Sequence, residues 1–139
     1  MDGIRYELDE RPAQGATLAL DEGLTWLRMP RPMRHNHLNL RLLRDAGGGL
    51  IVDTGIDTNT SRDVWRRVFA ADMGGEPATH VIVTHLHPDH AGCANFLVEE
   101  FGVDLWMSRE EYLLCRVLIA DTGNDAPPEG TRFYKAAGF

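Results

Sequence analysis

Lysine is almost absent from this sequence: thirteen of its fourteen basic residues are arginine, and the net charge is −7. An acidic balance disfavours a nonspecific nucleic-acid binder, so no nucleic-acid partner is expected. Cysteine is scarce too. Cys93 and Cys115 form no framework pattern, and a reducing compartment, the cytoplasm, is the expected location. No apolar run approaches the ~20 residues of a membrane helix. The opening "MDGIRYELDERP" is too polar and charged for a secretory leader, so no membrane role is expected. Repeats, low-complexity tracts and internal linkers are all missing, and residues 1–139 read as a single domain.

Alternation and period divide the chain into short elements. "LTWLRM" (24–29) reads as a strand, and the prolines of "RMPRPMR" end it. "LNLRLL" (38–43) alternates with strand period, "RDAGGG" turns the chain, and "LIVD" (50–53) pairs back as a hairpin. A helix is expected over 60–75, with Thr60 and Asp63 near its start, a stripe of Val64, Trp65, Val68 and Phe69, and Gly74 at its end. "HVIVT" (80–84) is apolar enough for a buried strand. Ala94, Leu97, Val98 and Phe101 then take helical spacing, closed by Gly102, and "VDLWM" (103–107) is the next strand. "SREE" (108–111) is a capping box opening a helix over Tyr112, Leu114, Cys115, Leu118 and Ile119. Residues 121–130 read as a loop and 131–139 as a helix barely begun. A β-rich start followed by α-β-α-β-α predicts a layered α/β fold. Trp26, Trp65, Trp106 and Cys115 fit core positions, Cys93 reads as a small buried residue, and His80 as structural.

One stretch does not fit a purely structural account. "VIVTHLHPDHAG" (81–92) places His85, His87, Asp89 and His90 within six residues at the end of a buried strand. His85 and His87 are two apart, so both side chains can leave one face. Pro88 then bends the chain, and Asp89 and His90 fall in the turn before the next helix. Imidazole and carboxylate together suit zinc, iron or manganese, and two pairs could hold two ions side by side. The plainer alternative makes Asp89 a helix N-cap and the histidines surface residues, but four ligand-type side chains so close together favour a metal.

Those residues resemble a known family. "THLHPDHAG" is similar to the H-x-H-x-D-H motif of the metallo-β-lactamase-fold hydrolases, and "LIVDTG" (50–55) is similar to that family's first motif. The resemblance covers roughly residues 20–120. It implies the N-terminal half of an αββα sandwich, a mixed sheet with helices on one face. It further implies that His85 and His87 bind the first metal, Asp89 and His90 the second, and that Asp53 stands behind the ligands and orients their loop. Asp53 as an ordinary turn aspartate is the alternative. A histidine at position 90 resembles the hydroxyacylglutathione-hydrolase (glyoxalase II-like) branch, where an ester, thioester or lactone is hydrolysed by metal-bound hydroxide. Asp89 would there orient the attacking water and shuttle a proton.

The same resemblance implies ligands that these residues do not supply. The family completes its two-metal zinc site with a third histidine, a bridging aspartate and a last histidine, and no histidine follows His90. The expectation is therefore a partial domain, with weak or absent metal binding and little activity alone. An uncovered core face would favour a homodimer. The rival reading is a non-catalytic half-domain that self-associates or pairs with a complementary half. Arg28, Arg31, Arg34, Arg41 and Arg44 lie in a span without acids. They read as a solvated strand face or as a basic rim for a small anionic substrate, with Arg34, His35 and His37 as candidate rim residues.

Overall fold

The computed structural model describes residues 8, 10–45, 47–72, 77–120, 132, 135 and 136. Six strands form one sheet in sequence order: β1 (Thr17–Asp21), β2 (Leu24–Pro30), β3 (His37–Asp45), β4 (Gly48–Val52), β5 (Ala78–Val83) and β6 (Asp104–Met107). The first four pair antiparallel, as short turns allow. β4, β5 and β6 pair parallel, which requires the crossovers that the helices supply. The helices are α1 (Asn59–Arg67), continued by a π-helical turn (Val68–Asp72), then α2 (Pro88–Ala91), α3 (Ala94–Phe101) and α4 (Arg109–Ala120). The sheet is thus mixed, in an α/β arrangement, as expected.

Strand alternation decides which face is covered. Leu27, Met29, Leu40, Leu42, Ile51, Val81 and Val83 share one face through the register pairs Leu27–Leu40, Leu42–Ile51 and Ile51–Val81, and all are buried. Val64, Trp65 and Val68 from the α1 segment and Ala94, Phe96 and Leu97 from α3 join them in one core. Burying such side chains contributes roughly 1.5–3 kcal/mol each. Phe69 and Phe101 stack at 3.7 Å, and Arg66 grips Glu100 at 2.6 and 2.8 Å, tying the α1 segment to α3. That ion pair is solvent-exposed, so water screens it and it adds little to stability. Among the described residues, no helix is long and apolar enough to cross a membrane. Both cysteines are free thiols.

Several expectations need correction. β1 has no buried residue, so it left little apolar period to read. The cap of α1 is Thr58, whose side chain accepts the Ser61 N–H, rather than Thr60 or Asp63. Trp65 is fully buried, but Trp26 is only half-buried and Trp106, on the edge strand β6, is 55% exposed. Helix α4 forms where expected, yet none of its residues is buried, and Cys115 is half-exposed rather than core. The loop expected over 121–130 lies outside the described residues, as do Gly74 and most of the helix expected over 131–139.

Gly92 shows how closely the loop after β5 sits on the end of β4. A Cβ there would lie 2.4 Å from the Pro88 carbonyl oxygen and 2.8 Å from both the Asp57 nitrogen and the Gly55 oxygen. All three are backbone atoms, which cannot rotate away. Gly92 has ordinary helical angles, where alanine is normally better by about 1 kcal/mol. Steric overlap should reverse that sign. Gly92→Ala is expected to destabilise the chain by about 1–3 kcal/mol in urea unfolding, and an unchanged or higher midpoint would contradict this packing.

Candidate metal centre

The cluster lies at the carboxyl end of the parallel strands, where open α/β sheets place their ligands. β5 ends at Val83, Thr84 and His85 follow, and α2 begins at Pro88. His87 takes the N-cap position of α2 and makes no side-chain cap bond. Asp89 is therefore not the cap. Its carboxylate instead receives Arg31 Nη1 at 2.5 Å, across 58 residues of sequence.

The three imidazoles crowd together. His85 Nε2 lies 2.9 Å from His87 Nδ1, and the His85 ring centroid is 4.7 Å from that of His87 and 4.0 Å from that of His90. His90 Nδ1 lies 2.9 Å from Asp53 Oδ2. A carboxylate there favours the tautomer with the proton on Nδ1 and leaves Nε2 as an acceptor, 3.9 Å from Asp89 Oδ2. His85 Nδ1 is 3.0 Å from Thr84 Oγ1.

Asp53 is the residue that joins these parts. It is buried, and its Oδ1 accepts both the Thr84 N–H at 2.8 Å and the Thr84 hydroxyl at 2.9 Å. Its backbone takes φ = 62°, the one left-handed non-glycine angle among the described residues. Aspartate tolerates that region better than most residues, and the hydrogen bonds hold it there. Thr54 follows, fully buried. Its N–H and its hydroxyl both donate to the His90 carbonyl, at 2.8 and 2.7 Å. Its Oγ1 accepts the Cys93 N–H, and its carbonyl accepts the Trp65 indole N–H at 2.8 Å. Gly55, at φ = 84°, accepts a second bond from the Cys93 N–H. "DTG" is thus the floor on which the histidine loop stands.

The hairpin loop between β2 and β3 overhangs the cluster through Arg31. Arg31 Nε also donates to the His35 carbonyl at 2.9 Å, and the Arg31 N–H donates to the Asn36 carbonyl. Arg34 and His35 are exposed on that loop, with their side chains turned to solvent rather than bonded to the cluster. His37 is half-buried at the start of β3, 3.2 Å from Arg28 Nη2 and 3.0 Å from Asn36 Oδ1. Burial first, then the charges of Arg28, Arg11 and Arg31, holds its pKa below the usual histidine value. Asp89 is also held low. Burial pushes its pKa up, but the Arg31 hydrogen bond and a backbone N–H, with the Arg31 charge, outweigh it and keep the net value below the usual carboxylate range. Cys93 is fully buried and its thiol donates to the Ile56 carbonyl at 3.4 Å; burial and the charge of Asp57 push that thiol up to about 12.

The donor types match a borderline divalent ion, with three imidazoles and one ionised carboxylate. The arrangement supplies them in pairs. Among the described residues, no three His, Cys, Asp or Glu side chains form a group that could hold one ion. The rings touch, but His85 and His87 turn nitrogens towards each other and His90 turns one to Asp53. Arg31 and Glu111, the latter accepting the Leu86 N–H, reach this loop from distant segments, and residue spacing does not signal either contact.

The model of the metallo-beta-lactamase superfamily matches residues 39–134, which include both motifs. No curated protein matches the chain. Among solved structures, a beta-lactamase domain protein from Burkholderia ambifaria is 41% identical with a TM-score of 0.74, over 81% of this chain and 36% of that one. A metallo-beta-lactamase family protein from Thermus thermophilus is 28% identical with a TM-score of 0.59, over 79% of this chain and 41% of that one. The metallo-beta-lactamase FIM-1 from Pseudomonas aeruginosa, in its mono-zinc form, is 16% identical with a TM-score of 0.62, over 81% of this chain and 49% of that one, and shares the fold. The chain spans well under half the length of the first two. With its family model covering most of its length, this chain belongs to the metallo-beta-lactamase superfamily.

Proposed function

We propose that the chain carries the metal-binding loop of a metal-dependent hydrolase acting on an ester, thioester or lactone, of the hydroxyacylglutathione-hydrolase type. His85 and His87 would hold one ion and Asp89 and His90 a second, with zinc the first choice and iron or manganese compatible with the same donors. One observation carries the reading: three imidazoles and an ionised carboxylate meet at the carboxyl end of the parallel strands, with His90 braced from behind by Asp53. A carboxylate behind a ligating histidine fixes its tautomer and raises its basicity. A bound divalent ion there supplies Lewis acidity and a nucleophilic water near neutral pH. Asp89, kept ionised beside Arg31, is suited to orient that water and accept its proton. The FIM-1 structure, solved with one zinc, supports zinc as the metal.

The hairpin loop supports a small anionic substrate, such as a thioester of glutathione or coenzyme A. Arg31 brings its loop over the cluster, and Arg34 and His35 stand exposed on it. The donors of this chain come in pairs, so metal affinity should be modest, and further ligands would complete the site. Superfamily membership weighs against the non-catalytic half-domain. We also propose pairing of two copies through apolar surface that these residues leave exposed, including Trp106 and the α4 side chains Leu114, Leu118 and Ile119.

Elemental analysis and zinc titration of the purified chain, with thioester and lactone substrates offered alongside, test the main reading. Zinc uptake is expected, weakened about tenfold or more in His87→Ala at unchanged circular dichroism. A wild-type chain that takes up no divalent metal would sink it. Light scattering should return twice the chain mass, and a stable monomer at high concentration would remove the pairing.

A further inference from the structure

Glu111 breaks a local rule. In a capping box its carboxylate should return to the backbone N–H of the cap residue, Ser108. Only half of that box forms: the Glu111 N–H donates to Ser108 Oγ at 3.2 Å. The carboxylate is used elsewhere, accepting the Leu86 N–H at 2.7 Å, 25 residues back along the chain. Leu86 sits between His85 and His87. Its N–H belongs to the rigid peptide plane joining His85 to Leu86, so gripping it holds His85 ψ and Leu86 φ together. Those two angles set how the imidazoles flanking Leu86 are aimed at each other.

We propose that Glu111 is a positioning residue for the His85–His87 pair: a carboxylate on α4 that fixes the turn between two histidines without touching either. Three observations carry it. The bond is short and charge-assisted, the stronger kind of hydrogen bond. Glu111 is half-buried on a helix none of whose residues is buried, so the contact ties an otherwise exposed helix to the loop. Leu86 lies in the bend between β5 and α2, outside the strand ladder that would otherwise orient its N–H. The consequence for metal binding rests on the proposed ligand role of His85 and His87. The geometric effect does not.

The test uses the whole chain as Glu111→Ala, Glu111→Asp and Glu111→Gln. Long-range proton–nitrogen NMR of the imidazoles, recorded without metal, reads the positioning directly. His80, near the start of β5 against Thr79 and Trp106, serves as the internal control. Alanine removes the acceptor and aspartate is one methylene too short, so both should shift the His85 and His87 ring signals and leave His80 in place. Glutamine keeps a carbonyl acceptor at the same reach and should restore the wild-type signals. Zinc affinity should follow, about tenfold weaker in the alanine and aspartate variants and near wild type in glutamine. Ring signals unchanged in Glu111→Asp, or shifted equally in Glu111→Gln, would overturn the assignment. Those two variants decide it even if Glu111→Ala fails to fold. A wild-type chain that binds no zinc would overturn the metal reading alone, and the ring signals would still decide the role of Glu111.

Discussion

The carboxylate of Asp53 is the point on which the site depends. It sits where β4 leaves the sheet, in a left-handed backbone that costs of order 1–3 kcal/mol for a residue other than glycine. That cost persists only where surrounding contacts over-determine it. Here the Asp53 N–H donates to the Ile82 carbonyl, which extends the β4–β5 ladder by one step. The side chain then turns back to take both polar hydrogens of Thr84 and to meet His90. One residue therefore joins the end of β4, the end of β5 and the start of the histidine loop. An alanine would keep the chain connected, but the three would lose their common reference.

Thr54 and Gly55 extend the same device by close approach. Thr54 uses every polar atom it owns, on His90, Cys93 and Trp65. A Cβ on Gly55 would come 2.7 Å from Met29 Cγ, in the core below. The histidine loop thus rests on backbone and buried side chains, which hardly move, rather than on long surface groups. Its other two supports differ in kind. Arg31 and Glu111 are long, charged and partly exposed, and they hold the loop at two separate points, through Asp89 and Leu86. The pattern is a rigid floor with two adjustable braces, which suits donors that must aim accurately yet accept an ion.

How much of this was legible in the sequence follows from what each signal measures. Alternation in β3 and β5 was readable because one sheet face is buried, and Leu40, Leu42, Val81 and Val83 repeat with its period. β1 is an edge strand without a buried residue, so its alternation carries no such contrast. The spacing on α4 predicts an apolar stripe, but the helix leaves all its residues unburied, Leu113 and Val117 outside that stripe included. Periodicity says which residues share a face, not what covers that face, and so Cys115 and Trp106 were misplaced. The histidine cluster was legible because its members are neighbours in sequence. Arg31 and Asp89 are 58 residues apart, and only the fold brings them together. Glu111 was legible but misassigned, because a local capping rule competes with a distant N–H that spacing cannot reveal.

The contact between Arg31 and Asp89 raises the question of whether the arginine blocks the carboxylate or presents it. Position decides. Both side chains are largely withdrawn from water, at 18% and 19% exposure, so the pair is not a loose surface contact. Arg31 Nη1 meets Asp89 Oδ2, the same oxygen that lies 3.9 Å from His90 Nε2. An ion held between Asp89 and His90 would therefore have to share or displace the arginine. Until then the arginine holds the carboxylate ionised and in place beside His90, already ordered for the ion of the proposed reading. A guanidinium displaced from that oxygen would remain tethered by the His35 carbonyl at the lip of the site. There it would be free to meet an anionic group arriving with the substrate.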